Sequence, residues 1–376
     1  MKKIAILINS MEGGGAERAA SVLLNSWVDK YECYLILIYP NIFYKLDSRI
    51  NIIHLNEDSC EGDAKKLLRL PLVAKKLSNV VKDRNFNKVI SFLTRANYIN
   101  ILSSYISKHI AIISERAMPS IHYSYGLNGK INKFLIKFLY HKASLCIANS
   151  QVNKKDLEGN FAVMNVVSIP NPFDIELISE LSNQNIDIEK KKFTFITIGR
   201  LDNGKNHKLI IDAIKDIDAD LWIIGDGDLK GNLQNYIKES ELTDKVQLLG
   251  KKENPFSFLS KADCFVFASN NEGFPNVLIE ALACELPIIS TDCQSGPREI
   301  LAPNSNMNFQ LKNNIELTQY GILTPIKNVE KLRKAMNLMI DDKKLRNNYK
   351  EWSIQRANDF RVEKIIKEYE EIICIE

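Results

Sequence analysis

The sequence predicts an α/β protein made of two doubly wound, Rossmann-like domains. Three observations carry that expectation. Short apolar runs that end in glycine or polar breaks alternate with helical patterns. The alternation stops once, over the polar and charged residues 183–192, and then restarts. The chain's 376 residues also exceed one ordinary core. The expected division is an N-terminal domain over residues 1–182 and a C-terminal domain over residues 193–352, with a final helix, about 353–376, packing back on the first.

Composition narrows the class. Hydrophobic residues make up 45% and charged residues 26%, as in soluble globular proteins. A net charge of +4 is too balanced to argue for a nucleic-acid partner. The seven cysteines, at 33, 60, 146, 264, 284, 293 and 374, form no CxxC pair and read as small core residues of a reducing cytoplasm. The apolar run that follows Lys2-Lys3 is too short for a secretory signal, and no stretch approaches the roughly 20 apolar residues that span a bilayer. Membrane contact, if made, comes from the side.

In the first half, residues 4–8 read as a buried parallel strand. Gly13-Gly14-Gly15 and a helical pattern over 16–28 complete a strand–loop–helix unit of the kind that cradles phosphate. It is not the dinucleotide fingerprint: the spacing is GGG, and the second strand, 34–39, ends in Tyr39-Pro40 with no acid for a ribose. Further strands are expected at 50–55, 88–93, 110–114, 145–148 and 166–169. Thr94-Arg95-Ala96-Asn97, Ser114-Glu115-Arg116 and Asn149-Ser150 lie at strand ends, where such sheets keep their sites, although each alone also reads as an ordinary turn. Over residues 130–142, Lys130, Lys133, Lys137 and His141 share one helical face, and Ile131, Phe134, Leu135, Phe138 and Leu139 a broader neighbouring one. Such a helix either lies on an anionic bilayer or packs its apolar side on a sheet. Lys65, Lys66, Arg69, Lys75 and Lys76 form a second basic segment around Pro71.

In the second half, strands are expected at 193–198, 221–224, 246–249, 264–268 and 288–290, and helices at 209–217 and 229–240. Residues 303–314 read as an exposed loop, and 327–341 and 343–373 as helices. The strand 264–268 breaks at Ser269-Asn270-Asn271, and Pro275 suits the first position of a helix running through Glu280. Such a helix start offers backbone N–H donors from Phe274, Asn276 and Val277 to phosphate or sugar. Glu272 and Glu280 bracket it; carboxylates only accept hydrogen bonds, so they suit vicinal hydroxyls and repel phosphates. Gly199-Arg200-Leu201-Asp202-Asn203-Gly204-Lys205-Asn206-His207 leaves the domain's first strand carrying a forked cation, Arg200, and a point charge, Lys205.

Glu272 and Glu280, Gly199-Arg200 with Lys205-Asn206, Gly225-Asp226-Gly227, Gly13-Gly14-Gly15-Ala16-Glu17-Arg18 and Gly296-Pro297-Arg298-Glu299 together resemble a retaining family 4 glycosyltransferase of GT-B fold, whose two Rossmann-like domains face each other across a cleft. The resemblance covers nearly the whole chain and is strongest over 195–300. It is similar to bacterial enzymes that extend O-antigen, capsule or lipid-linked oligosaccharides. It implies transfer of a hexose or N-acetylhexosamine (N-acetylgalactosamine, N-acetylglucosamine or galactose) from a UDP-sugar to an undecaprenyl-diphosphate-linked saccharide. The setting it implies is cytoplasmic, peripheral at the inner membrane, without cofactor or metal. Glu272 would meet the donor sugar and Glu280 the ribose, with Gly273, Phe274, Pro275, Asn276 and Val277 as further substrate contacts. Arg200 and Lys205 would hold the diphosphate, with Gly14 and Gly15 closing over it. Where the family often carries a histidine near the donor sugar, this chain has Arg116, which is expected among the substrate contacts; His122 is the histidine close by. Two other readings stand beside this one: a nicotinamide-dependent oxidoreductase, opposed by the missing GxGxxG, and a non-catalytic or epimerising GT-B relative that binds UDP-sugar without an acceptor.

Overall fold

The computed structural model describes residues 1–374, and its chain divides into two compact units: Met1–Phe173 with the C-terminal segment from Val362, and Asp174–Arg361. Unit 1 runs β1 (Lys3–Ile8), α1 (Gly15–Trp27), β2 (Glu32–Leu37), β3 (Asn51–His54), α2 (Asp63–Leu68), α3 (Leu70–Arg84), β4 (Lys88–Phe92), α4 (Thr94–Ser107), β5 (Ile110–Glu115), α5 (Pro119–His122), α6 (Gly126–Leu139), β6 (Leu145–Ala148), α7 (Gln151–Phe161) and β7 (Val166–Ser168). Its strands form one parallel sheet in the order β3-β2-β1-β4-β5-β6-β7. The apolar run in β1 follows from burial on both faces. Ile4, Ile6 and Ile8 pack with Leu23, Leu24 and Trp27 of α1, while the alternate Ala5 and Leu7 pack with Val73 and Leu77 of α3 and Ile99 of α4.

Unit 2 runs α8 (Ile175–Ser182), β8 (Thr194–Ile198), α9 (His207–Ile214), β9 (Asp220–Ile224), α10 (Lys230–Glu239), β10 (Val246–Gly250), α11 (Phe256–Leu259), β11 (Cys264–Phe267), α12 (Asn276–Ala283), β12 (Ile288–Thr291), α13 (Pro297–Leu301), β13 (Glu316–Leu317), β14 (Ile322–Thr324), α14 (Val329–Asp341) and α15 (Lys343–Ala357). Its order is β10-β9-β8-β11-β12-β14-β13, parallel except that β13 runs antiparallel to β14. Both sheets thus reverse their winding after the first strand, between β1 and β4 and between β8 and β11.

Four expectations change. The boundary lies at Phe173/Asp174 rather than 183–192, because α8 packs Ile175 and Ile178 within unit 2, where Asn254 Nδ2 donates to Leu181 O (2.8 Å). The helix read over 343–373 is two helices. α15 stops at Ala357, where Arg356 turns to donate to Ile300 O (2.8 Å) and Glu299 O (2.7 Å), and the buried Phe360 meets Phe274 with ring centroids 5.7 Å apart. The chain then returns to unit 1 as α16 (Val362–Cys374), whose Ile365, Ile366 and Tyr369 join the α1 core. β13 and β14 were not foreseen; at two and three residues they are too short for an alternation to show. Finally, Cys33, Cys146, Cys264 and Cys293 are buried thiols but Cys60 is exposed, so the core reading does not hold for it; the Cys374 side chain lies outside the described residues.

The largest surprise is α6. Its core face is Gly129, Asn132, Ile136 and Leu139, with Leu135 half-buried. Of the apolar face read over 130–142, Phe134 is 67% exposed and Phe138 51%, their rings stacked 6.1 Å apart, and Leu127, one turn earlier, is 74% exposed. Leu127, Ile131, Phe134 and Phe138 recur at four-, three- and four-residue steps and form one outward stripe beside Lys130 and Lys137. In the other basic segment the charges are mostly used internally. Arg69 and Lys76 bind the buried Glu57 (2.9 and 2.6 Å), and Lys65 binds Glu61 (3.0 Å). Burial pushes the Glu57 carboxyl up, but its hydrogen bonds from Lys76 and Arg69 prevail and hold it below the usual carboxylate value.

Candidate active site

In unit 2 the carboxyl ends of β8 and β11 deliver the expected loops side by side, at the switch in strand order. After β8, Leu201 N–H donates to Asp226 O (3.0 Å), tying the loop to the turn after β9, and Lys205 N–H donates to Asp202 Oδ1 (3.0 Å), folding the loop back on itself. The αL residue Asn206 (φ 51°) then turns the chain into α9. Glycine is required at Gly225: at φ +150° a Cβ would stand 1.9 Å from Gly199 O. Gly296 is its counterpart beside α12, where φ is +101° and a Cβ would meet Pro275 Cδ at 2.1 Å.

These turns place Lys205 Nζ 2.5 Å from Glu272 Oε1, with the two side chains 24% and 12% exposed. The ammonium also stands 5.4 Å from the Phe267 ring centroid. Arg200 is on the same loop but 76% exposed, and its nearest acid is Asp202 at 3.6 Å. Glu280 is buried one turn inside α12. Pro275 is the residue before the helix (ψ 92°) rather than its first position, and Asn276 opens it. The N–H groups of the first turn lack intrahelical acceptors, so Asn276 and Val277 head the helix as donors. Gly273 and Phe274 lie between Glu272 and the helix, held by Ser295 Oγ donating to Gly273 O (2.5 Å) and by the packing of Phe274 on Phe360.

Sequence reasoning missed the parts that join these loops. Asn270 N–H donates to Gly204 O (2.9 Å) and Asn270 Nδ2 to Asn203 O (3.0 Å), tying the β11 loop to the β8 loop. Gln294 bridges to Asn271. Asn270 was visible as a polar break, but nothing in its spacing marked it as a tie. Arg298 plays a structural part. It is buried and binds Asp292 (2.7 Å) and Glu316 (2.8 Å), which orders residues 292–316. His207 is buried, its Nε2 3.3 Å from Arg200 O and its Nδ1 without a partner. Burial, more than any neighbour, lowers its pKa to about 4.

The remaining expected residues belong to unit 1. Gly14 precedes α1 at φ −86°, and Gly15 is the first residue of α1. Arg116 is 8% exposed and turned inward: Nη1 donates to Asn171 Oδ1 (2.6 Å), Nη2 to Tyr369 Oη, and the guanidinium lies 4.5 Å from the Phe92 ring centroid. That placement ties α16 to β5, in the position where a substrate contact was expected. The buried Glu115 beside it accepts from Tyr140 Oη (2.5 Å), Thr94 Oγ1 (3.1 Å) and Arg116 N–H (3.0 Å). Burial pushes its carboxyl above the ordinary value against those hydrogen bonds. His122 is exposed on α5 and lines a unit 1 cavity.

The chain as a whole resembles known proteins. The model of the family "Glycosyl transferases group 1" matches residues 179–356. Over 375 residues, 98% of each chain, the sequence is 36% identical to the N-acetylgalactosamine-N,N'-diacetylbacillosaminyl-diphospho-undecaprenol 4-alpha-N-acetylgalactosaminyltransferase of Campylobacter jejuni. It is 39% identical over 290 residues to an uncharacterized glycosyltransferase of Methanocaldococcus jannaschii, covering 70% of this chain and 71% of that one. Among solved structures, Anabaena HepE in complex with UDP superposes with a TM-score of 0.77 at 19% identity over 99% of both chains. The sucrose-phosphate synthase of Thermosynechococcus elongatus gives 0.83 at 15%, over 99% of this chain and 98% of that one.

Proposed function

From the premise that the chain belongs to the glycosyl transferase group 1 family, with the GT-B architecture of two Rossmann-like domains, we propose that it transfers N-acetylgalactosamine or a related hexose from a UDP-sugar to an undecaprenyl-diphosphate-linked saccharide, as in O-antigen or related surface polysaccharide synthesis, with retention and without a metal. What carries this reading is the grouping of Glu272, Lys205 and Glu280 at the ends of β8 and β11, in a chain alike over 98% of its length to a transferase named for a diphospho-undecaprenol acceptor.

Each residue then has its own role. Glu280 accepts from the ribose hydroxyls and Glu272 from those of the donor sugar. Arg200 and Lys205 take the charge that develops on the departing diphosphate, the part a metal would otherwise play. In the free protein Glu272 holds the Lys205 ammonium in place; an arriving diphosphate offers a second acceptor, so the cation is positioned before the donor binds. The acceptor attacks from the face the diphosphate leaves, and no side chain is assigned as a covalent nucleophile.

A lipid-linked acceptor also requires approach to a bilayer surface. No helix among the described residues is long and apolar enough to cross one. The outward stripe of α6 with its flanking lysines suits lying on anionic lipid, each lysine contributing about 1 kcal/mol near the surface.

The test is a panel of UDP- and GDP-sugars assayed in EDTA against synthetic undecaprenyl-diphosphate saccharides, with the new anomeric configuration read by NMR. An α-linked product from a UDP-sugar is expected. Inversion, or activity that returns only with manganese, overturns the corresponding part, and hydrolysis without an acceptor product overturns the transfer itself. Phe134→Ser with Phe138→Ser should float poorly with anionic vesicles; flotation equal to wild type removes α6 from the membrane.

A further inference from the structure

Unit 1 holds a cavity of about 270 Å³ that the reading above does not use. Its walls come from α2, α4, α5 and α6, and include Asp63, Lys66, Arg95, His122, Tyr123 and Asn128. It opens where α4 leaves β4, the strand at the sheet's reversal. Open parallel sheets bind ligands at that point. The volume lies below the ~300–1,000 Å³ of pockets that enclose a whole small molecule, so the cavity suits one group rather than a saccharide.

Its charges point to an anion. The Arg95 guanidinium and the Lys66 ammonium stand over the Tyr39 ring, 5.9 and 5.7 Å from its centroid. Neither has an ion pair among the described residues, and Arg95 Nε is buried with no hydrogen-bond partner. The contrast within one segment is sharp: Lys65, Arg69 and Lys76 are neutralised by Glu57 and Glu61, while Lys66 is not. The one acid in the wall, Asp63, already accepts from Asn128 Nδ2 at 2.8 Å, and this bond joins α2 to α6. Around the cavity, on those same elements, Leu68 is 83% exposed and Leu127 faces outward with it. A cationic recess bordered by exposed apolar side chains is the arrangement that would meet a phosphate carried on a lipid.

We propose that this pocket binds the diphosphate of the lipid-linked acceptor, with Arg95 and Lys66 as its counter-charges and His122 and Tyr123 at its rim. The proposal rests on the acceptor reading above for the source of the diphosphate, and on the cavity itself for the chemistry. A phospholipid headgroup offers similar chemistry, so the experiment must separate the two.

Calorimetry on the full chain, with farnesyl diphosphate as a water-soluble probe and dihexanoyl phosphatidylglycerol below its micellar concentration as the competitor, does so without turnover. Wild type should bind farnesyl diphosphate, and Arg95→Gln with Lys66→Gln should weaken that binding at least tenfold while UDP affinity stays unchanged. Should that pair melt early, Lys66→Glu on the half-exposed side of the pocket should give the same loss. Farnesyl diphosphate binding that is absent in wild type, or unchanged in the variants, overturns the proposal. So does phosphatidylglycerol binding that is equally strong and equally lost, since the pocket then belongs to ordinary lipid. Because the readout is prenyl diphosphate binding, a protein that transfers no sugar would sink the transferase reading and leave this result standing.

Discussion

Both units reverse their strand order at the same place, between β1 and β4 in one and β8 and β11 in the other, yet they treat charge there in opposite ways. In unit 2 the cations are provided with acids of their own: Lys205 lies 2.5 Å from Glu272, and Arg200 is 3.6 Å from Asp202. In unit 1, Arg95 at the end of β4 and Lys66 across from it share an aromatic ring and no carboxylate. The glycines differ too. Gly225 is locked by backbone, whereas a Cβ at Gly14 would meet only the mobile carboxylate of Glu17. Unit 2 is thus built to hold a fixed set of partners in register, and an incoming anion competes with Glu272. In unit 1 an incoming anion would supply a charge that the pocket lacks.

The sharpest way to break this comparison is through the glycines. Gly225→Ala puts a methyl 1.9 Å from Gly199 O at φ +150° and should destabilise unit 2 by about 3 kcal/mol or more. Gly14→Ala, at φ −86°, should cost under about 1 kcal/mol, because Glu17 swings aside. Urea unfolding followed by Trp222 fluorescence for unit 2 and Trp27 for unit 1, each in a background lacking the other tryptophans, reads them separately. Equal losses would mean that the two loops are equally constrained.

The next effect concerns the unit 2 charges. Lys205→Ala should lower kcat by about 10²-fold, as removal of other transition-state charge stabilisers does. Glu280→Ala should instead weaken UDP binding by about 1–3 kcal/mol, the worth of a hydrogen bond to a charged group. Glu272→Ala should reduce turnover while free UDP affinity stays close to wild type. Calorimetry with UDP and steady-state rates would separate these; a fall in UDP affinity that is equal in Glu272→Ala and Glu280→Ala removes the division of labour.

How much of this was legible in the sequence follows the same divide. The α/β class and the central strands of both units were readable because their runs are buried on two faces, and the Lys205 and Glu272 loops because the glycines and strand ends that place them are near in sequence. Arg95, Lys66 and His122 were each named separately, at a strand end, in a basic segment and near Arg116, but with Tyr39 they lie far apart in the chain and meet only through the winding of unit 1, so no spacing could flag them as one group. Arg116 misled for another reason: an arginine at a strand end reads the same whether it faces a ligand or an interior carboxamide. The sequence left open which way the apolar face of α6 turns, and the structure splits it: Leu135 and Leu139 pack inward beside Gly129 and Asn132, while Ile131, Phe134 and Phe138 stay outside.

The smallest effect tests whether the units also differ in acid. Each buries one neutral histidine, His109 and His207, and burial lowers both to about 4. An unfolded histidine titrates near 6.5, so between about pH 6.5 and 4 the unfolded chain binds a proton that the folded chain refuses. Stability is therefore complete above that window and declines as pH falls through it. For one such group the loss at pH 5.5 is about 1 kcal/mol. The two rings are held differently. His109 lies between Ser107 Oγ and Asn100 Oδ1, each 2.8 Å from a ring nitrogen. In His207 a proton added at Nδ1 would be buried with no acceptor. Replacing His207 with Gln removes the titrating group from unit 2 and leaves His109 in unit 1. Between pH 7.5 and 5.5 the unit 2 transition of that variant should fall by about 1 kcal/mol less than that of wild type, while the unit 1 transition falls as before. If the acid loss in unit 2 is the same with and without His207, its acid sensitivity lies elsewhere, and the ring is then a packed core residue with no pH role.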